Sequence, residues 1–97
     1  MNYVSNAFSL QMVARENLTS VGIYPAPAPT AEELTQRTSI VGHADIAAVI
    51  GVPMNRASVQ LKRGDTLLVA QLMGGRLPEG SKTLPEGFQL DWIMVTV

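Results

Sequence analysis

The chain of 97 residues contains one histidine, at position 43, and no cysteine. Imidazole is the side chain whose unperturbed titration lies near neutrality, so any acid–base catalysis by imidazole falls to His43. Two arginines follow turn-forming residues: Arg56 comes after Pro53-Met54-Asn55, and Arg76 after Gly74-Gly75, where backbone can approach a ligand closely. The planar fork of arginine fits phosphate, and Glu79 lies just beyond Arg76, across Pro78. Near the start, Asn6 and Ser9 can aim an amide, a hydroxyl and free helix N–H groups at a phosphate or ribose. Gln71 interrupts the apolar run Leu68-Val69-Ala70-Gln71-Leu72, and a glutamine amide can pair bidentately with adenine.

Each of these residues also has an ordinary structural reading. Asn6 can form an Asx-turn and Ser9 a helix cap. His43, between a glycine and a short apolar helix, can be a surface or capping residue. Arg56 can be a solvated charge, and Arg76 with Glu79 a surface ion pair of little energetic weight. Gln71, set in an apolar strand, can satisfy its amide on backbone.

The elements that must position these groups follow from pattern and punctuation. Tyr3-Val4-Ser5 is a short strand reaching Asn6, and Ser9 caps a short helix over Leu10 to Arg15. Ser20 to Tyr24 is a second strand, after which Pro25, Pro27 and Pro29 force an extended connection. Thr30 caps a helix with Glu32 and Glu33 in its first turn, where the helix dipole favours anions. Ser39-Ile40-Val41 runs extended into Gly42-His43, and Asp45 to Ile50 forms a small apolar helix, ended by Gly51 and Pro53. That helix is apolar nearly all round and is expected to be well buried.

The second half is β-rich. Ala57 to Lys62 alternates, Gly64-Asp65 offers a hairpin turn, and Thr66 to Met73 is almost wholly apolar, as in a central strand covered on both faces. A loop from Gly74 to Gly87 precedes a last strand, Phe88 to Val97. The expectation is one α/β domain over residues 1–97, with a mixed central sheet of about five strands and short helices on both faces.

Composition restricts the chemistry further. Without cysteine there is no thiol nucleophile, thiolate metal site or disulfide scaffold, and a single histidine argues against an imidazole-rich metal centre. Seven basic and eight acidic residues give a formal net charge of -1, which excludes a basic coat for long nucleic acid but leaves room for a local anion site. No segment has the length of a membrane span or the pattern of a signal peptide, so a soluble, cytoplasmic protein is expected. Arg63-Gly64-Asp65 spells an adhesion tripeptide but falls where a turn is wanted. Gly75 to Lys82 has the glycine spacing of a phosphate loop, yet no helix opens after it to receive the phosphates.

Taken together, the segments Val4-Ser5-Asn6-Ala7-Phe8-Ser9-Leu10, Ile40-Val41-Gly42-His43, Pro53-Met54-Asn55-Arg56, Gly64-Asp65 with the strand ending Gln71-Leu72, and Arg76-Leu77-Pro78-Glu79-Gly80 resemble the viral anti-CRISPR ring nucleases of type III immunity. The resemblance is collinear over nearly the whole chain. It implies a homodimer that encloses cyclic tetra-adenylate across its two-fold axis. It also implies metal-independent cleavage, without a cofactor, in which a ribose 2′-hydroxyl attacks the adjacent phosphodiester to leave linear di-adenylate with a 2′,3′-cyclic phosphate. By position, His43 matches the family's general acid, Arg76 the arginine at the scissile phosphate and Glu79 the carboxylate beside it. Asn6, Ser9 and Arg56 match its ligand-holding residues, and Gln71 matches a family glutamine once one residue is inserted before Arg76.

The chemistry of the residues is compatible with that implication. Internal attack by a hydroxyl needs alignment, stabilisation of charge on the phosphoryl oxygens and a proton for the departing 5′-oxygen. Two other classes of function are open: a protein that sequesters a cyclic nucleotide without cutting it, with His43 a hydrogen-bond donor only, and an interaction module that binds no nucleotide.

Overall fold

A computed structural model describes residues 1–97. Five strands form one mixed sheet: β1 (Asn2–Ser5), β2 (Gly22–Ala26), β3 (Thr38–Ser39), β4 (Thr66–Met73) and β5 (Gln89–Thr96), in the order β2-β5-β4-β1-β3. β1 runs parallel to both β3 and β4, with Val4 opposite Ser39 on one side and Leu68 on the other. β5 is antiparallel to β4 and to the edge strand β2. The α/β architecture expected from the pattern is the one observed.

β4 lies between β1 and β5, and Leu67, Leu68, Val69 and Ala70 are all buried. Its odd and even residues serve two different cores, because side chains alternate across a sheet. Leu67 and Val69 join Val13, Ile40, Leu61 and Val95 under a 3-10 helix at Leu10–Met12. Leu68 meets Val4 and Leu34, the latter from α1 (Ala31–Thr35), with Ile50 of α2 (Ala44–Ile50) packed against them. The α-helices therefore cover one face, and 3-10 and extended chain covers the other.

The caps follow the residue types. Thr30 accepts from the Glu33 N–H at 3.1 Å while the Glu33 carboxylate accepts from the Thr30 N–H at 3.3 Å, a complete capping box. Gly51 ends α2 with φ of 79°, a left-handed conformation that glycine adopts without strain.

Four expectations need correction. Ala57 to Lys62 is not a hairpin strand against β4, since both edges of β4 are occupied by β1 and β5. Only Leu61 makes a bridge, with Val13, and the Gly64 N–H donates to the carbonyl of Val97 instead. The helix after Ser9 stops at Met12, because Val13 is drawn into extended pairing with Leu61. Pro25 and Ala26 continue β2 rather than leaving it, which an edge strand permits because its outward N–H groups need no partner. Finally, α2 buries Ile46 and Ala47 but exposes Ala48, so it has one covered face rather than burial all round.

No helix is long and apolar enough to cross a membrane. The adhesion-like tripeptide is occupied internally. Asp65 is buried, and its carboxylate pairs with the Met1 amino group at 3.0 Å and accepts from the Lys62 N–H at 2.8 Å. Arg63 donates to the Ser20 hydroxyl.

Candidate functional site

Three parallel strands, β4, β1 and β3, lie side by side, and the groups singled out by the sequence follow their C-terminal ends. Asn6 follows β1, His43 comes shortly after β3, and the loop bearing Arg76 and Glu79 leaves β4. This is the edge of an open α/β sheet where ligands collect, since the loops there are free of the sheet's own hydrogen bonding.

At the end of β1, the buried Ser5 hydroxyl donates to the carbonyl of Ile40 and accepts from the Ala7 N–H at 3.3 Å. That local turn directs Asn6 toward the neighbouring strand, where its Oδ1 accepts from the Gly42 N–H at 3.3 Å. Segment 53–56 extends the sheet beyond β3: Met54 bridges Val41, the Asn55 N–H donates to the Val41 carbonyl at 2.8 Å, and Nε of Arg56 donates to the Gly42 carbonyl at 3.0 Å. Both polar groups of Gly42 are thereby held by side chains from elsewhere in the chain. The residue that follows is His43.

His43 is exposed and is the N-cap of α2, with Nδ1 accepting from the Ile46 N–H at 3.3 Å. A ring nitrogen that accepts carries no proton, so this geometry belongs to the neutral ring with its proton on Nε2, which is left free as a donor. Taking up a second proton at Nδ1 requires release of the Ile46 N–H. Capping and the imidazolium form are mutually exclusive in this geometry.

Asn6, Ser9 and Arg56 line one cleft of about 570 Å³, together with Gly42, Ser58 and Val59. Ser9 is also a cap there, its hydroxyl accepting from the Gln11 N–H at 3.1 Å. Asn6 additionally borders a second, more apolar groove of about 360 Å³, walled by Phe8, Val69 and Ile93 and containing Gln71. Gln71 is exposed and faces Asp91 across the β4–β5 pair, which corrects the expectation of a buried amide in need of backbone partners. β4 runs beyond the core at that point, so solvent reaches the amide directly.

Arg76 and Glu79 do not enter these clefts; both are exposed, and they form no ion pair with each other. Between them Leu77 is buried against Val41, Ile46 and Ala47, on the opposite side of the sheet from Ile40. Successive residues Ile40 and Val41 point to opposite faces, so the Arg56 cleft and the Arg76 loop lie on either side of the strand that leads to His43. The loop is attached by a residue that its sequence context does not single out, Asp45, whose Oδ1 accepts from the Gly80 N–H at 3.2 Å. An aspartate two residues after a capping histidine was the available signal, but its partner lies 35 residues away in the chain.

A protein-family model described as STIV B116-like matches residues 2–89. Among solved structures, the chain is similar to B116 of Sulfolobus turreted icosahedral virus, with a TM-score of 0.69 and 22% identity, over 99% of this chain and 98% of that one. At that identity the likeness establishes a shared fold. No curated protein matches the chain.

Proposed function

The chain belongs to the STIV B116-like family, and from that premise we propose that it is a metal-independent ring nuclease that cleaves cyclic tetra-adenylate and so suppresses type III CRISPR immunity. The observation that supports the reading is that Asn6, His43 and the Arg76 loop each follow one of three adjacent parallel strands, with Arg56 bonded to the residue before His43. The residue-by-residue resemblance to the ring nucleases adds the reaction.

In this reading the ring phosphates lie along the strand ends. Arg56 holds ligand in the cleft that Asn6 and Ser9 share with it, and Gln71 faces an adenine from the adjoining groove. At the scissile linkage a ribose 2′-oxygen forms a bond to phosphorus as the bond to the 5′-oxygen breaks. Arg76 stabilises the added negative charge, the 2′-hydroxyl proton passes to Glu79, and His43 in its imidazolium form protonates the departing 5′-oxygen. Two such cuts yield two molecules of linear di-adenylate, each ending in a 2′,3′-cyclic phosphate. A cyclic tetranucleotide exceeds a cleft of about 570 Å³, so a homodimer supplies the second half-site and doubles the arginines of a chain whose net charge is -1.

Product analysis after incubation with cyclic tetra-adenylate in the presence of chelator tests this reading. Linear di-adenylate with a cyclic phosphate end is the expected product. Loss of cleavage with chelator and its return on adding a divalent metal would overturn the mechanism.

One feature supports a second reading, a protein that sequesters the ring intact. As the cap of α2, His43 presents only a donor at Nε2, which suffices for binding without proton transfer. Recovery of uncut ring after denaturing the complex selects this alternative.

A further inference from the structure

The loop from Gly74 to Gly87 carries Arg76 and Glu79, and its attachments are few. At its base, Gly74 has φ of 112°, and a Cβ there would come within 2.9 Å of the Gly87 carbonyl and 3.0 Å of Phe88 Cα, so the two ends close tightly on each other. Away from the base, Ser81 bonds back to Pro78 within the loop. Leu77 is buried against Val41, Ile46 and Ala47, and the half-buried Leu84 packs against the same cluster. Apart from the local turn in which the Phe88 N–H donates to the Pro85 carbonyl, the hydrogen bond from the Gly80 N–H to Asp45 Oδ1 is the one that ties residues 74–87 to another part of the chain.

Asp45 sits in the first turn of α2, two residues from its cap His43. The same turn thus directs one acceptor at its own backbone, through His43 to the Ile46 N–H, and a second at the loop, through Asp45 to the Gly80 N–H. Leu77 and Gly80 bracket Glu79, and Arg76 immediately precedes Leu77. Apolar contacts at Leu77 and Leu84 hold those side chains in a cluster but do not fix the direction of the backbone between them, because apolar burial is non-directional. A hydrogen bond at Gly80, between the two, supplies that direction, because it weakens steeply with misalignment.

From this we infer that Asp45 is a positioning residue, which holds the Arg76–Glu79 segment in register with the turn that bears His43. Its influence on cleavage rests on the ring-nuclease reading; its influence on the loop does not. A carboxylate in a first helical turn also favours the helix dipole whatever it bonds. Asp45→Asn keeps the acceptor oxygen and removes the charge, whereas Asp45→Ala removes both.

The test has two arms. In the ligand-free protein, backbone amide relaxation and hydrogen exchange by NMR are expected to show a protected Gly80 N–H and ordered Arg76 and Glu79 amides in wild type and Asp45→Asn, with both properties lost in Asp45→Ala. In turnover of cyclic tetra-adenylate, Asp45→Ala is expected to lower kcat about 10- to 100-fold, the scale of a small misplacement of catalytic groups, with KM little changed and Asp45→Asn restoring most of the rate. Thermal melts establish that each variant is folded. An unprotected Gly80 N–H in wild type, equal loop order in Asp45→Ala, or equal loss in Asn and Ala variants overturns the positioning role. A wild-type protein with an ordered loop and no turnover instead overturns the ring-nuclease reading and leaves the tether standing.

Discussion

Asn6 and Arg56, fifty positions apart in the chain, grip the same residue: Asn6 Oδ1 accepts from the Gly42 N–H at 3.3 Å, and Arg56 Nε donates to the Gly42 carbonyl at 3.0 Å. Each of these residues also lines the cleft that Gly42 borders. Residues expected to hold ligand therefore hold the backbone that leads to the histidine as well.

This shared grip predicts coupling. Asn6→Ala and Arg56→Ala are each expected to cost about 1 kcal/mol of stability, the net worth of one hydrogen bond. Both are expected to shift the His43 ring resonances in the absence of ligand. A double-mutant cycle should show an interaction term above ~0.5 kcal/mol. Strict additivity with unmoved His43 resonances would show that the two bonds do not position the histidine.

His43 serves two purposes that substitution can separate. His43→Ala removes the cap on Ile46 and is expected to cost about 1 kcal/mol of stability. Under the proposed mechanism it also lowers turnover about 10²- to 10⁴-fold while ring binding persists. His43→Asn restores a capping oxygen but no proton donor, so stability should return without activity. Paired thermal melts and single-turnover assays check this, and recovery of activity in the asparagine variant removes His43 from proton transfer.

Leu77 is the buried anchor of the Arg76 loop, with Leu84 packed against the same cluster. Leu77→Ala is expected to destabilise the fold by about 2–5 kcal/mol, with the loss centred on the cluster of Val41, Ile46 and Ala47. Denaturant titration gives the magnitude. Hydrogen exchange should show α2 opening before β4, since β4 has a further core around Val69 on its other face.

Asp65 makes stability depend on pH. The Lys62 N–H, the Met1 amino group and the Lys62 charge hold its carboxyl below the ordinary value of 3.8, against the opposing effect of burial. A carboxyl depressed in the folded state stabilises the protein above its unfolded pKa, and that contribution is lost as pH falls through the folded value. Asp65→Asn is accordingly expected to lower the melting temperature at neutral pH, and the gap to wild type should close in acid. A gap that persists unchanged below the carboxylate range would place the effect elsewhere than in the charge.

Much of the molecule was legible in local sequence because its determinants are local. The Thr30 cap, the Gly51 stop and the apolar β4 depend on residues within a few positions of one another, and those elements appear where pattern and punctuation put them, whereas the Asx-turn expected at Asn6 is replaced by a turn on the Ser5 hydroxyl, with Asn6 bonded to distant Gly42. The residue types also bounded the chemistry, since one imidazole, no thiol and a few arginines restrict what reactions the chain can perform.

What the sequence could not decide is which strands become neighbours. Ala57 to Lys62 alternates like a strand, but β1 and β5 take both edges of β4, so the segment remains largely unpaired. Gln71 reads as a buried amide in an apolar run, but β4 outlasts its cover and leaves it in solvent. The strand order sets β1 and β3 beside β4, so Asn6 and the segment leading to His43 are neighbours, and the Arg76 loop returns to α2 through Leu77. The Asp45 bond to Gly80 follows from the same arrangement. Propensity and capping act over a few residues and are written in the local sequence. Pairing across thirty or more positions is settled only when the whole chain competes for the same sheet edges and the same core.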